Sequence, residues 1–231
     1  MENQKQDGNG VIQAYSKQAS KYDRSVKAFE LFSRFGFSIS EWRKQAVIAL
    51  DLEPGDTVID IGCGTGLNFP IILDRIGPTG AIIGVDLSDA MLAEAHKKVE
   101  ANRWRNVQLH REDAAKFIFP TSVKAILSTF ALILVPDCEL VVRSACRALT
   151  PDGRLVILDM AWPPNLPLWW RYVLFFLKSY GLTAENLRIR PWEKIQKTMA
   201  TQLDDYMLKK FWFGFFYLAS GSARSGTNMA T

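Results

Sequence analysis

The chain has 231 residues, 48% of them apolar, and a formal charge of +4. That length supports one sizeable core, and its scattered basic residues lack the concentrated stripe of a nucleic-acid binder; at most they favour an anionic surface or substrate. Three cysteines without CxxC spacing and only two histidines, His96 and His110, argue against a disulfide framework and a multi-histidine metal site, which fits a reducing cytoplasm.

Residues 1–10 are polar, with no apolar run of the signal-peptide kind, and read as a disordered tail. A single domain is expected over 11–222. Residues 11–51 carry a helical pattern and form an N-terminal helical cap. Ile39, Trp42, Ala46, Ala49 and Leu50 share one face after Ser38, and Glu53-Pro54-Gly55-Asp56 ends the helix. Residues 56–160 then alternate short apolar runs with helical patterns. Thr57–Ile61 is a buried strand, a glycine loop follows, and Leu67–Arg75 is helical. Past the turn Gly77–Gly80, Ala81–Asp86 is a second strand, and Ser88 caps a helix with Met91, Leu92, Ala95 and Val99 on one face. Val107–His110 and Ala125–Phe130 are the third and fourth strands. Pro136 and Asp137 open a helix carrying Cys138 and Cys146, and Pro151-Asp152-Gly153 turns into a fifth strand, Arg154–Asp159. The alternation predicts an α/β fold, a doubly wound and mostly parallel sheet buried on both faces.

The character changes at 161–203. The prolines at 163, 164 and 167 break regular structure, a strongly aromatic helix is expected over Leu168–Tyr180, and Pro191 begins another. The aromatic stretch Leu166–Leu177 is too short to cross a membrane, which takes roughly 20 apolar residues, but its amphipathic character suits an interface. Tyr206–Phe213 and Phe215–Ser220, around Gly214, are expected as an antiparallel pair within 204–220 that brings the sheet to seven strands. Residues 223–231 read as a second tail.

The strongest chemical signal is Asp60-Ile-Gly62-Cys63-Gly64-Thr65-Gly66, between a buried strand and a helix. Its glycines allow a sharp turn and a close approach of ligand to backbone. The spacing is GxGxG; Leu67 stands where a dinucleotide fingerprint has its third glycine, and no Lys-Ser or Lys-Thr follows to cradle phosphate. Asp86, ending the second strand, faces the ligand crevice and can accept hydrogen bonds from ribose hydroxyls. Asp113-Ala114, past the third strand, can meet an adenine amino group.

In this order these segments resemble the class I S-adenosylmethionine-dependent methyltransferases: Val58–Gly66, Gly84–Ser88 with Met91-Leu92, Glu112–Ala114, Phe130–Asp137 and Leu149–Leu155. The resemblance implies a Rossmann-like methyltransferase fold over roughly residues 11–160, with S-adenosylmethionine as cofactor and S-adenosylhomocysteine as product. It implies that Asp60 and the loop (Gly62, Cys63, Gly64, Thr65, Gly66, with Asn68 behind it) hold the methionine part. Asp86, beside Ser88, holds the ribose. Leu87 and Met91 flank the adenine, Asp113 and Ala114 bind its edge, and Phe130 lines the methyl-donor pocket. Tyr15, Ala19 and Tyr22-Asp23 resemble the cap of quinone and lipid methyltransferases, and Gly66–Pro70 resembles bacterial phospholipid N-methyltransferases. Two departures stand out: Val123-Lys124 occupy the place of an acidic residue opening the fourth strand, and Phe130–Leu134 lacks the Gly-Leu-Arg-Asn run of quinone C-methyltransferases, which weighs against a quinone acceptor.

The cofactor's sulfonium is itself a strong electrophile, so alignment of the acceptor, worth about 7–11 kcal/mol, replaces an obligatory nucleophilic side chain. Tyr15, Tyr22 and His110 are the catalytic candidates. His110 also reads as a strand-end surface residue, Cys63 as a small residue that fits its loop, and the tyrosines as cap packing. Tyr15, Tyr22, Trp162, Trp169 and Trp170 are the candidate acceptor wall. The aromatics of 162–192 read first as lid core, and otherwise as a wall for a bulky apolar acceptor or a patch for peripheral membrane contact. The expected activity is methyl transfer to a hydrophobic or amphiphilic small molecule, a phospholipid-headgroup amine or an aromatic or polycyclic acceptor, in a cytoplasmic or membrane-peripheral protein. Neither nucleic acid nor metal is expected, and the oligomeric state is open. The alternatives are aminocarboxypropyl transfer from the same cofactor and a catalytically silent cofactor-binding subunit.

Overall fold

In a computed structural model, Asp23 and residues 37–163 and 188–224 are described. Seven strands form one sheet in the order β3-β2-β1-β4-β5-β7-β6. In chain order they are β1 Thr57–Ile61, β2 Ala81–Asp86, β3 Val107–Arg111, β4 Val123–Thr129, β5 Leu149–Met160, β6 Leu203–Phe211 and β7 Phe216–Ala223. β1 to β5 pair in parallel, and β7 runs antiparallel to both neighbours, β5 and β6. This is the doubly wound, mostly parallel sheet with an antiparallel terminal pair that the sequence pattern predicts.

Five α-helices lie wholly within the described residues and flank it: α1 Ile39–Ile48, α2 Phe69–Ile76, α3 Asp89–Ala101, α4 Cys138–Ala148 and α5 Pro191–Gln202. Ser38 caps α1 by accepting from the Glu41 amide, and Ser88 caps α3 by accepting from the Met91 amide, as those residue types at those places predict. Alternation along the strands divides the core between the two faces. Val58, Leu127, Val156 and Leu158 pack with Trp42 and Ala46 of α1, Leu50 just past its end, and Phe69, Ile72 and Ile76 of α2. Ile59, Ile61, Ile126, Leu155 and Ile157 pack with Val141, Val142 and Ala145 of α4 and Trp192, Ile195 and Met199 of α5. Each such fully buried side chain contributes roughly 1.5–3 kcal/mol. Trp192 is therefore core.

The larger departures from the expected boundaries, beyond one or two residues at an element's end, are two. Pro151-Asp152-Gly153 lies within β5: Val123 pairs with Leu149 and Ala125 already with Arg154, so the extra residues are taken up as an irregularity in a continuous strand. The same register shift turns Val123 and Ala125 to opposite faces of the sheet. The terminal strands run further than expected at their outer ends, and Trp212–Gly214 is a single 3-10 turn between them, with Trp212, Phe213 and Gly214 all at positive φ. Tyr15, Tyr22, Trp169 and Trp170, and the expected helix Leu168–Tyr180, lie outside the described residues.

Candidate active site

Strand order reverses between β1 and β4, and the carboxyl ends of the strands there open the crevice where α/β sheets bind ligands. The glycine loop leaves β1 at this point. Its amides Gly62 N–H and Cys63 N–H both donate to the Val85 carbonyl, at 2.7 and 3.1 Å, which ties the loop to β2. The three glycines have different reasons. A Cβ on Gly62 would lie 2.2 Å from the Ala131 Cβ, and one on Gly66 would lie 2.6 Å from the Phe69 ring. These two are required by packing. A Cβ on Gly64, at φ +55°, would meet nothing within 4 Å among the described residues. Its bare face is the part of the loop open to a ligand.

Asp86, half-buried at the end of β2, faces that loop. One carboxylate oxygen accepts from the Gly64 amide at 2.8 Å and the other from the Ser88 amide at 2.9 Å. Each keeps a lone pair for further donors. Burial pushes its pKa up, and the Ser88 and Gly64 amides oppose the shift. Leu87 beside it is 40% exposed and Met91 is buried, so together they offer an apolar edge next to the carboxylate. Asp113 and Ala114 follow β3. One Asp113 oxygen is used locally, accepting from the Ala115 amide at 3.0 Å.

Beneath the loop is a fully buried polar network. The Asn68 amide group donates to both Asp60 oxygens, at 3.1 and 3.0 Å, and to the Thr129 hydroxyl at 3.0 Å. Arg43 of α1 donates to the Asn68 side-chain oxygen at 2.9 Å and to the Thr129 hydroxyl. Burial raises the Asp60 pKa to about 7, against the lowering effects of the Asn68 hydrogen bond and the Arg43 charge. The Cys63 thiol is buried and pushed well above its ordinary range by desolvation and by Asp86 and Asp60, the reverse of an activated nucleophile. Thr65 donates to Asp23 at 2.7 Å and accepts from Lys98 at 3.2 Å, while Lys98 pairs with Asp23 at 2.5 Å. Asp23 is thus anchored on the loop through Thr65.

Phe130, following β4, sits at φ +57°, a conformation that costs a bulky residue of order 1–3 kcal/mol. Its ring packs edge-on against Phe216 at 6.1 Å. Phe216 belongs to an aromatic group with Phe37, Trp42 and Trp212, and Trp162 stands edge-on to Phe215 at 5.7 Å. β7 starts where β5 ends, since Phe216 pairs with Met160, so this group lies at the same end of the sheet as the glycine loop. His110 is elsewhere: it is exposed on the edge strand β3, its ring 6.2 Å from that of Phe117.

Sequence reasoning missed Arg43, Thr129 and Asp159. Arg43 had a signal. It falls on the stripe Ile39, Arg43, Ala46, Leu50, so a charge stands on a face that must be buried. Asp159 is fully buried at the end of β5 and accepts from the Ile133 amide at 2.9 Å and the Met160 amide at 2.8 Å, fixing the turn after Phe130. Burial raises its pKa to about 7, opposed by those amides. Asp60 and Asp159 are therefore protonated in the folded protein at pH values where the unfolded chain has already ionised them. Stability from both groups is complete below the unfolded pKa near 4 and is lost as pH rises through about 7. The thermal midpoint of the ligand-free protein is expected to fall between pH 5 and pH 8, with a shallower fall in Asp159→Asn. A midpoint that rises over that range, or an unchanged slope in the variant, contradicts the assignment.

Comparison with known proteins agrees with this geometry. Residues 52–207 match the family described as a methyltransferase domain. A demethylmenaquinone methyltransferase of Listeria welshimeri is 33% identical over 185 residues, covering 74% of this chain and 75% of the relative. Among solved structures, the fold superimposes on a geranyl diphosphate C-methyltransferase of Streptomyces coelicolor in complex with S-adenosylhomocysteine, with TM-score 0.66 and 18% identity over 80% of this chain and 79% of that one. A SAM-dependent methyltransferase of Aquifex aeolicus gives TM-score 0.56 at 18% identity, over 78% and 89%.

Proposed function

Since this chain belongs to the class I S-adenosylmethionine-dependent methyltransferases, we propose that it methylates a hydrophobic or amphiphilic small molecule, with a hydroxylated aromatic ring of the demethylmenaquinone kind as the favoured acceptor. The observation that carries this reading is the aromatic group Phe130, Phe216, Trp212 and Trp162 at the mouth end of the sheet, beside the glycine loop. A small polar acceptor needs no such wall. The name carried by the Listeria welshimeri relative supports the ring acceptor, a likeness that we set above the missing Gly-Leu-Arg-Asn run at Phe130–Leu134.

The residues present fit the cofactor. The bare face of Gly64 leaves room for it, Asp86 offers acceptors for the ribose hydroxyls, Leu87 and Met91 offer an apolar edge for the adenine, and Asp113 follows β3, whose last residue pairs with Asp86. Asp60, on the network with Asn68, suits the amino end of the methionine part. When bound, the cofactor supplies an electrophilic methyl group and leaves as S-adenosylhomocysteine. The chain's part is to hold and orient. Gly64 and Asp86 fix the donor end, the ring of Phe130 limits the acceptor's approach, and the aromatic group excludes water. Among the described residues no helix is long and apolar enough to cross a membrane, and peripheral contact through the aromatic segment belongs to the proposal.

The test is transfer of labelled methyl from S-adenosylmethionine to a panel of demethylated quinols, phosphatidylethanolamine vesicles and fractionated lipid extract, with product identification. Label in the quinol ring is the expected result. Label on the lipid amine moves the acceptor to the phospholipid class, and a labelled aminocarboxypropyl product, seen with the label in that chain, overturns methyl transfer.

A further inference from the structure

We propose that Arg43 is a positioning residue of the methyl-transfer site, bridging α2 and the end of β4 across the reversal of strand order and so holding Asn68, Asp60 and Phe130 in register with the bound cofactor. The inference rests on the cofactor reading above. Arg43 is only 7% exposed although it stands on a short cap helix. One guanidinium nitrogen reaches both Asn68 and Thr129, and the guanidinium carbon lies 4.9 Å from the centre of the Phe130 ring. These three contacts come from the two segments that flank the crevice. The helix that follows the glycine loop carries Asn68 at its cap, and β4 ends in Thr129 and Phe130.

A charge this deep is expensive unless its donors are used. Yet the Arg43 Nε has no partner among the described residues. No acidic residue is within salt-bridge distance of it there. A residue whose only task was to pin the cap to the sheet would be better replaced by an apolar side chain. What Arg43 does instead is hold the Asn68 side-chain oxygen. This forces the Asn68 amide group to turn its N–H donors toward Asp60 and Thr129. The orientation of Asn68, and with it the carboxylate plane of Asp60, follows from the guanidinium. The same group lies over the ring of Phe130 within cation–π range, at the residue whose backbone is held at positive φ. The groups facing Asp60 are Asn68 at the start of α2, Arg43 from α1, Asp86 from β2 and the Cys63 thiol of the loop. Arg43 is the cation among them, so its removal leaves Asp60 harder to ionise.

Titration calorimetry with S-adenosylhomocysteine from pH 6 to 9, together with the thermal midpoint, tests this on the full chain. The wild-type protein binds, more tightly as pH rises through about 7; if it does not bind at all, the cofactor reading fails and not the role of Arg43. Arg43→Met is expected to lose affinity by about tenfold or more and to shift the midpoint of the pH profile upward. Arg43→Lys keeps the charge but not the planar fork. It is expected to keep the wild-type pH midpoint while still losing several-fold in affinity, roughly as a point charge replaces a bridging one. If Arg43→Met does not fold, Arg43→Lys alone decides: a wild-type affinity there overturns the bridge. A lowered thermal midpoint with affinity and pH profile unchanged in either variant also overturns it, because that is the signature of a merely structural residue.

Discussion

Replacing Asp86 by Ala is expected to weaken S-adenosylhomocysteine binding by about 1.5–3 kcal/mol, roughly ten- to 150-fold. Two effects contribute. The ligand's ribose hydroxyls lose a charged acceptor. The Gly64 and Ser88 amides, which donate to the carboxylate at 2.8 and 2.9 Å, lose the group that holds the loop against the start of α3. Asp86→Asn separates them, since an amide still accepts at one atom but cannot serve both amides and both hydroxyls. It should fall between wild type and Asp86→Ala. The thermal midpoint should change far less than affinity, because Ser88 keeps its own cap bond to the Met91 amide. Unchanged affinity in a folded Asp86→Ala protein contradicts the ribose assignment.

Gly64→Val is expected to abolish cofactor binding. The backbone there is at φ +55°, where a side chain costs about 1–2 kcal/mol, and a branched one more. That strain alone would lower stability modestly. The larger effect is steric: an added Cβ meets no atom of the described residues within 4 Å, so the branched side chain is expected to fill the space that the cofactor takes. Gly62→Ala is the contrasting control. Its Cβ would lie 2.2 Å from that of Ala131, so its damage falls on packing and lowers the thermal midpoint. Binding detectable at wild-type strength in Gly64→Val shows that the loop is only a turn.

The parts of this architecture set by local chemistry were legible in the chain. Thr57–Ile61 is β-branched and apolar and precedes glycines, Ser38 and Ser88 precede helical periodicity, and Asp86 ends an apolar run; strand, caps and ligand-facing acid all follow from neighbours in sequence. What escaped was non-local. Arg43 bonds partners 25 and 86 residues away, and Asp159 fixes a turn 26 residues before it. Pro151-Asp152-Gly153 reads as a turn because its composition is that of a turn. Pairing of Leu149 with Val123 draws it into β5 all the same, a case of tertiary context overriding local preference. The different duties of Gly62, Gly64 and Gly66 were likewise hidden, since a glycine in sequence does not say whether Ala131, empty space or Phe69 stands where its Cβ would be.

The most direct test of the account is a crystal structure of the protein with S-adenosylhomocysteine. The predicted result places both ribose hydroxyls within about 3 Å of the Asp86 carboxylate, with the ligand lying against the bare face of Gly64 and its amino end toward Asp60. A ligand bound away from the β1–β4 crevice, or a folded protein that takes up none at millimolar concentration, would contradict it.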